Sequence, residues 1–302
     1  MCAQSCGGSS CGSAGSAAAS MMDSGAADMQ AMQAQKRLDD SLNKIKNRIV
    51  VMSGKGGVGK TTVAVNLAVG LALAGKRVGL LDVDVHGPSV PRMLQLEKIK
   101  AQVSDDSIIP VEWPVGSNGG SLKVMSLGFF LPNGTQAVIW RGPVKIGFIN
   151  QLVGECAWGD LDYLVVDCPP GTGDEPLTAV QVLTSTPDAN ARALVVTTPQ
   201  AVAIDDVRRS LGFCGELKIP VLGLVENMSG IVCSSCGNIE PLFGQGGGQA
   251  LAKEMSVPFL AALPLDPQVA QSGDDGNVYI KNFPDRPTAQ AFQAVLDAAL
   301  KL

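Results

Sequence analysis

The chain has 302 residues, of which 46% are apolar but only 4% aromatic, and it carries a formal charge of −5 at pH 7. With no long basic block the electrostatic footprint of a nucleic-acid binder is missing, no apolar run is long enough to span a bilayer, and the N-terminus lacks the basic and apolar regions of a secretory signal. A cytoplasmic protein is expected, with no membrane partner, whose eight cysteines are reduced thiols or metal ligands rather than disulfides.

Residues 1–35 read as a flexible tail. The first 30 are mostly Gly, Ser, Ala and Met around Cys2, Cys6 and Cys11, too poor in large apolar groups to fold alone. These three thiols could hold a second metal group, help load another, or do nothing. The polar stretch "MQAQKRLDDSLNKIKN" predicts a helix leading into a first strand, "RIVVMS", at 48–53. Further aliphatic runs, "RVGLLDVD", "LDYLVVDCPP", "ARALVVTT" and "PVLGLVEN", predict strands. Helices are expected over Thr61–Ala74 with Gly75 closing it, and over "KIGFINQLVGECA", "AIDDVRRSLGFC", "QALAKEM" and "TAQAFQAVLDAALKL". Parallel strands need crossover connections, so this alternation predicts an α/β fold in three layers, a mostly parallel central sheet between helices. Residues 100–135, with Gly, Pro and Asn between short apolar runs, are expected to form a hairpin or irregular insertion. Cys156 and Cys214 fall in helical apolar patterns and read as core, and Cys168 as a small buried side chain.

Gly54-Lys55-Gly56-Gly57-Val58-Gly59-Lys60-Thr61 fits G-x-x-x-x-G-K-[ST] between a predicted strand and a predicted helix. The glycines let backbone N–H groups, including that of Val58, turn towards phosphate, and the helix N-terminus adds partial positive charge. Lys60 should neutralise the β- and γ-phosphates of ATP and Thr61 should ligate Mg²⁺, with Thr62 following in the nucleotide site. Residues 36–302 are therefore expected to form one P-loop NTPase domain. Asp82, Asp84 and Asp167 stand at ends of predicted strands, where ligands of open α/β sheets gather. His86, the single histidine, leaves no histidine cluster for a metal and is assigned to packing or hydrogen bonding in the loop "HGPSVP" rather than to catalysis. That loop and "PPGTGDE" are placed as switches that sense the γ-phosphate.

"NMSGIVCSSCGNIEP" sets Cys233 and Cys236 in a C-x-x-C, whose turn brings both sulphurs to one side to bind one metal or two irons. One chain supplies two ligands here and a tetrahedral zinc or a four-iron cluster needs four. A two-fold related copy of the loop is the simplest source of the others, which predicts a homodimer.

Lys55 is a second lysine that the phosphate loop does not need. In sequence and position it resembles the signature lysine of the deviant Walker A family, the P-loop group that includes MinD, ParA and the nitrogenase iron protein. The resemblance implies that Lys55 reaches the partner's nucleotide and stabilises charge on the transferring phosphoryl group. It also implies that Asp167 holds Mg²⁺ through water and Asn227 contacts the base. Asp84 is assigned to orient or deprotonate the attacking water, with Asp82 a helper.

The blocks "GKGGVGKTT", "DVDVHGPSVP", "DCPPGTGDE" and "ENMSGIVCSSCG" together resemble the Mrp/ApbC group of iron-sulphur cluster carriers over residues 45–300. That resemblance implies a homodimeric ATPase that carries a labile [4Fe-4S] cluster on Cys233 and Cys236 and passes it to apo iron-sulphur proteins. Two other readings remain at this point. A MinD- or ParA-like regulatory switch with a zinc-bridged dimer fits the phosphate loop but leaves the thiol pair a structural role. An electron donor like the nitrogenase iron protein would draw its cysteines from separate segments.

Overall fold

The computed structural model describes residues 29, 31–84, 87–104, 107–116, 119–130, 142–233 and 235–302. The expectations for Cys2, Cys6, Cys11 and His86 lie outside these residues. A helix over 31–42 (α1) leads into β1 (Ile45–Ser53). There follow α2 (Lys60–Leu73), β2 (Arg77–Asp82), α3 (Val90–Met93), β3 (Gln102–Ser104), β4 (Ser107–Ile109), β5 (Val111–Trp113) and β6 (Ser121–Ser126). Next come α4 (Gly142–Gly154), β7 (Leu161–Asp167), α5 (Asp174–Leu183), β8 (Ala191–Thr197), α6 (Ala201–Glu216), β9 (Val221–Val232) and β10 (Ile239–Glu240). The chain closes with α7 (Gly247–Glu254), β11 (Phe259–Leu265), α8 (Pro267–Asp275), α9 (Tyr279–Asn282) and α10 (Pro287–Leu300).

The central sheet runs β11-β9-β8-β1-β7-β2-β6 with every neighbouring pair parallel. Antiparallel β5 extends it beyond β6, and β10 pairs with the far end of β9. Helices cover both sides, as predicted for a mostly parallel sheet. β1 shows the reason: Arg48–Ser53 is buried without alternation, the signature of a strand covered on both faces. α2 is apolar almost all round and buried continuously from Val63 to Ala72, so it lies inside the domain rather than on its surface. It ends as the sequence predicts. Gly75, at φ +82°, donates to Ala72 O at 3.0 Å while Lys76 donates to Leu71 O at 3.1 Å, which satisfies the last carbonyls.

Three local expectations need correction. β6 lies within the supposed insertion at 100–135 yet pairs in parallel with β2 along its whole length, from Arg77 opposite Ser121 to Asp82 opposite Ser126. The hairpin expected there is real but small, β3 against β4. Cys156 is buried as expected but is not helical, because α4 stops at Gly154 and Cys156 bridges to Ile108. The polar helix ends at 42, and Ile45 already belongs to β1.

α1 is part of the packed structure: Leu38 and Leu42 are buried, and a Cβ on Gly154 would stand 3.2 Å from Leu38 Cα. The buried Arg48 ties it down. One terminal nitrogen donates to Leu42 O at 2.7 Å, and the other to Leu183 O at 2.7 Å and Thr186 Oγ1 at 2.9 Å. One guanidinium thus caps the carbonyl ends of two helices.

Candidate nucleotide site and cysteine knuckle

The loop Gly54–Gly59 links the carboxyl end of central β1 to the start of α2, so strand order alone puts it at the middle of the sheet edge where ligands gather. Gly57 and Gly59 have φ of +79° and +83°, the left-handed conformations that turn the loop back on itself. At Gly54 a Cβ would lie 2.4 Å from the backbone carbonyl carbon of Asp206, so the loop lies directly against α6. Gly56 and Gly57 are exposed at the tip while Val58 turns its side chain into the core.

Lys60, Thr61 and Asp167 meet at one point. Lys60 Nζ is 2.5 Å from Asp167 Oδ1, and the Thr61 hydroxyl donates to Asp167 Oδ2 at 2.7 Å. The register explains the meeting, because Val51 near the end of β1 faces Asp167 at the end of β7. Asp167 in turn faces Asp82 on β2, which faces Ser126 on β6. Burial lifts the Asp167 carboxyl above its ordinary value despite the neighbouring ammonium. Asp82, fully buried beside that second carboxylate, is pushed up to about 8.

Asp82 is built as a clamp. Its Oδ1 accepts the amide of Asp84 at 3.0 Å, and its Oδ2 accepts the amide of Val90 at 3.3 Å and the Ser126 hydroxyl at 3.1 Å. Both ends of the loop between β2 and α3 thus hang on one carboxyl group. Asp84 is half-buried and accepts the Gly87 amide at 3.2 Å. The loop after β7 is tied to the end of β1, just before the phosphate loop, by the Gly171 amide, which donates to Ser53 O at 2.8 Å.

Lys55 is half-buried and donates to Gln200 Oε1 at 3.3 Å, at the N-cap of α6. Asn227 donates from Nδ2 to Val58 O at 2.9 Å, so it supports the phosphate loop from β9. Beside it opens a largely apolar cavity of about 320 Å³ lined by Thr62, Met93, Asn227, Leu263, Pro264 and Phe292. A flat heterocycle fits such walls. Its floor comes from β11 and α10, outside every motif, and the Gln200 and Ser126 contacts likewise had no local signal in the sequence.

Cys233 and Cys236 lie beyond the end of β9, on the turn that leads to β10. The turn is closed by Cys233 N donating to Asn238 O at 2.8 Å and Gly237 N donating to Cys233 O at 2.9 Å, with Gly237 at φ +76°. Amides of Cys236 and Ser235, together with the Cys236 side chain, hold the Cys233 thiol below its ordinary value. Cys236 is exposed and Cys233 half-buried, whereas Cys156, Cys168 and Cys214 are buried. Burial pushes the Cys156 thiol up to about 12 and that of Cys214 up to about 11, and raises Cys168 as well. Among the described cysteines only the knuckle pair is accessible, and Cys233 is the one whose thiol is lowered. No group of three or more His, Cys, Asp and Glu side chains that could hold a metal occurs among the described residues.

A family model described as ParA, the NUBPL iron-transfer P-loop NTPases, matches residues 44–300. The cytosolic Fe-S cluster assembly factor NUBP2 of Bos taurus is 47% identical over 262 residues, 87% of this chain and 94% of that protein. The iron-sulfur cluster carrier protein of Methanocaldococcus jannaschii is 46% identical over 244 residues, 81% of either chain. Among solved structures, the Archaeoglobus fulgidus nucleotide-binding protein in complex with ADP is 39% identical, with a TM-score of 0.70 over 83% of this chain and 94% of that one. The cell division ATPase MinD of Pyrococcus furiosus, 22% identical with a TM-score of 0.58 over 85% of this chain and 99% of that one, shares the fold. The expected resemblance to the iron-sulphur carriers is thus met over most of the chain, and the protein belongs to the NUBPL iron-transfer family of ParA-type P-loop NTPases.

Proposed function

We propose that the protein is a homodimeric ATPase that holds a labile [4Fe-4S] cluster between its subunits and passes it to apo iron-sulphur proteins in the cytosol. The observation that carries this reading is the knuckle: two accessible thiols, one already shifted towards thiolate, with no third metal-ligating side chain grouped with them among the described residues. Two such turns related by a two-fold axis complete a four-thiolate site. Weak closure by two short loops suits a cargo that must leave.

The phosphate loop supplies the energy-using half. Gly54, Gly56, Gly57, Val58 and Gly59 present backbone N–H groups to the phosphates, and Lys60 exchanges Asp167 for the β- and γ-phosphate oxygens. The cavity beside Thr62 and Asn227 takes the base. Thr61 and Asp167 set two hard oxygen donors 2.7 Å apart, a set that suits Mg²⁺, with Asp167 acting through water. When bound, the ion neutralises charge that develops on the phosphate oxygens. Asp84 orients the attacking water, Asp82 holds the loop that carries Asp84, and Lys55 leaves Gln200 to reach the partner subunit's nucleotide.

The test is anaerobic reconstitution with iron and sulphide, with Cys233→Ala alongside. The expected result is a broad absorption at roughly 400 nm with about four irons and four sulphides per dimer, lost in the variant. Zinc alone, or no metal in reduced protein, would replace the carrier by a dimer with structural zinc or none.

A further inference from the structure

The segment that bears the two cysteines is an excursion from the sheet, and consecutive residues of β9 pin both of its ends. β9 pairs with β8 as far as Glu226, opposite Thr197, and with β11 as far as Asn227, opposite Leu263. Pairing with β11 resumes at Ile231, opposite Leu265, so two steps along β11 face four along β9. This is a bulge. Within it Met228 has φ +57°, a backbone setting that a long unbranched side chain rarely adopts and that persists only where surroundings impose it.

Glu226 faces α7, whereas Asn227 and Met228 both face the phosphate loop. Buried Glu226 accepts the Gly248 amide on Oε2 at 2.6 Å, at the first turn of α7, where the excursion rejoins the fold. Asn227 donates to Val58 O of the phosphate loop, and a Cβ on Gly59 would stand 2.2 Å from its Nδ2 and 4.0 Å from Met228 Cε. From Met228 the strand continues to Val232, the residue immediately before Cys233. Val58 and Gly59 are the peptides that a bound phosphate would reorient. The side chains packed on them belong to the bulge from which the knuckle departs.

We propose that Glu226, Asn227 and Met228 form a hinge that couples occupancy of the phosphate loop to the setting of the Cys233 and Cys236 knuckle, with Met228 as the positioning residue. The inference rests on reading the phosphate loop as the nucleotide site and the cysteine pair as the cargo site. Its physical content is a strained element with two settings that both sites bias. Such coupling is reciprocal, so metal on the knuckle must change nucleotide affinity by the same factor.

The experiment follows free thiols and needs no cluster. Metal-free, reduced protein is alkylated with iodoacetamide, with and without magnesium and a non-hydrolysable ATP analogue. Rates at Cys233 and Cys236 are read separately by peptide mass spectrometry, and direct titration sets a saturating analogue concentration for each variant. The analogue is expected to change at least one rate about 5-fold or more in the unaltered protein. Met228→Gly, which frees the hinge, and Asn227→Ala, which cuts the link to Val58, should bring the ratio to one, while Met228→Leu, which keeps bulk and strain, should preserve it. A protein that binds the analogue with neither rate changed overturns the hinge, as does a ratio that survives in both Met228→Gly and Asn227→Ala. A ratio that follows protein concentration assigns the effect to dimer formation and also overturns it. A protein that fails to bind the analogue overturns the nucleotide reading as well, whereas failure of cluster reconstitution leaves this test intact.

Discussion

Lys60 and Asp167, 107 positions apart in the chain, form a buried ion pair at 2.5 Å, and Thr61 completes the group on the second carboxylate oxygen. The lysine and the hydroxyl of the G-K-T segment are thus held by the same aspartate. In the proposed nucleotide complex the two ions of the pair each have an exchange partner of like charge, phosphate for carboxylate at Lys60 and metal cation for ammonium at Asp167.

The two lysines of the loop should separate cleanly. Lys60→Ala is expected to abolish tight nucleotide binding and, by stranding Asp167, to lower stability of the nucleotide-free protein by about 3 kcal/mol. Lys55→Ala should bind nucleotide almost normally, lose hydrolysis, and change stability by less than about 0.5 kcal/mol. Titration with a fluorescent nucleotide, phosphate release and urea unfolding read all three; equal loss of binding in both variants would sink the cross-subunit role of Lys55.

Asp82 gives the stability a pH dependence. Its carboxyl keeps a proton up to about pH 8 in the folded chain but loses it near pH 4 when unfolded. Between those limits the native state binds more protons, so stability of the nucleotide-free protein falls as pH rises, by up to about 1.4 kcal/mol per unit from this group. Unfolding midpoints at pH 5, 6, 7 and 8 should show a shallower fall in Asp82→Asn; parallel curves would show that Asp82 ionises normally.

The opposite sign is expected at Asp266. Burial by itself would raise this carboxyl, but Arg286, the Gln268 amide and the Tyr279 hydroxyl outweigh it and leave the group below its ordinary value. Its stabilisation is present above the unfolded value near pH 4 and is lost as pH falls through the folded one. Asp266→Asn should therefore cost about 2 kcal/mol at pH 7, discounted for the partly exposed Arg286. The gap to the unaltered protein should shrink below about pH 4, and a gap independent of pH would mean that shape rather than charge matters there.

Cysteines should divide by burial. Cys233→Ala and Cys236→Ala are expected to lose cluster retention with unchanged nucleotide binding and little change in stability. Cys214→Ala, inside α6 with no exposure, should keep the cluster and lose about 1 kcal/mol through the cavity it leaves. Iron and sulphide content beside an unfolding curve distinguish the classes. A full cluster in Cys233→Ala would move the site elsewhere in the chain.

The phosphate loop, the three aspartates and the thiol pair were legible because each is written in consecutive residues at strand ends. What escaped depends on neighbours that are distant in sequence. β6 reads "SLKVMS" among glycines and asparagine, and the apolar run of β11, "FLAALPL", carries Pro264 and no β-branched residue, so neither reads as a strand in the way "LVVD" of β7 does. α5 starts at Asp174 within a segment that reads as loop. The clamp on Asp82 needs Ser126, and the hold on Lys55 needs Gln200; both follow from strand register and loop packing, which no local spacing encodes. The bond from Asn227 to Val58 O likewise joins β9 to a loop 169 positions earlier in the chain, beyond the reach of any local spacing.

Arg48 carries a consequence for where this domain starts. The match to the family begins at residue 44, yet the guanidinium buried behind β1 spends one nitrogen on the carbonyl of Leu42. A chain cut at residue 44 would keep the charge and lose one of its three acceptors, a loss of about 1–3 kcal/mol, together with the buried Leu38 and Leu42. The smallest piece that folds firmly is therefore longer than the piece by which its relatives are recognised.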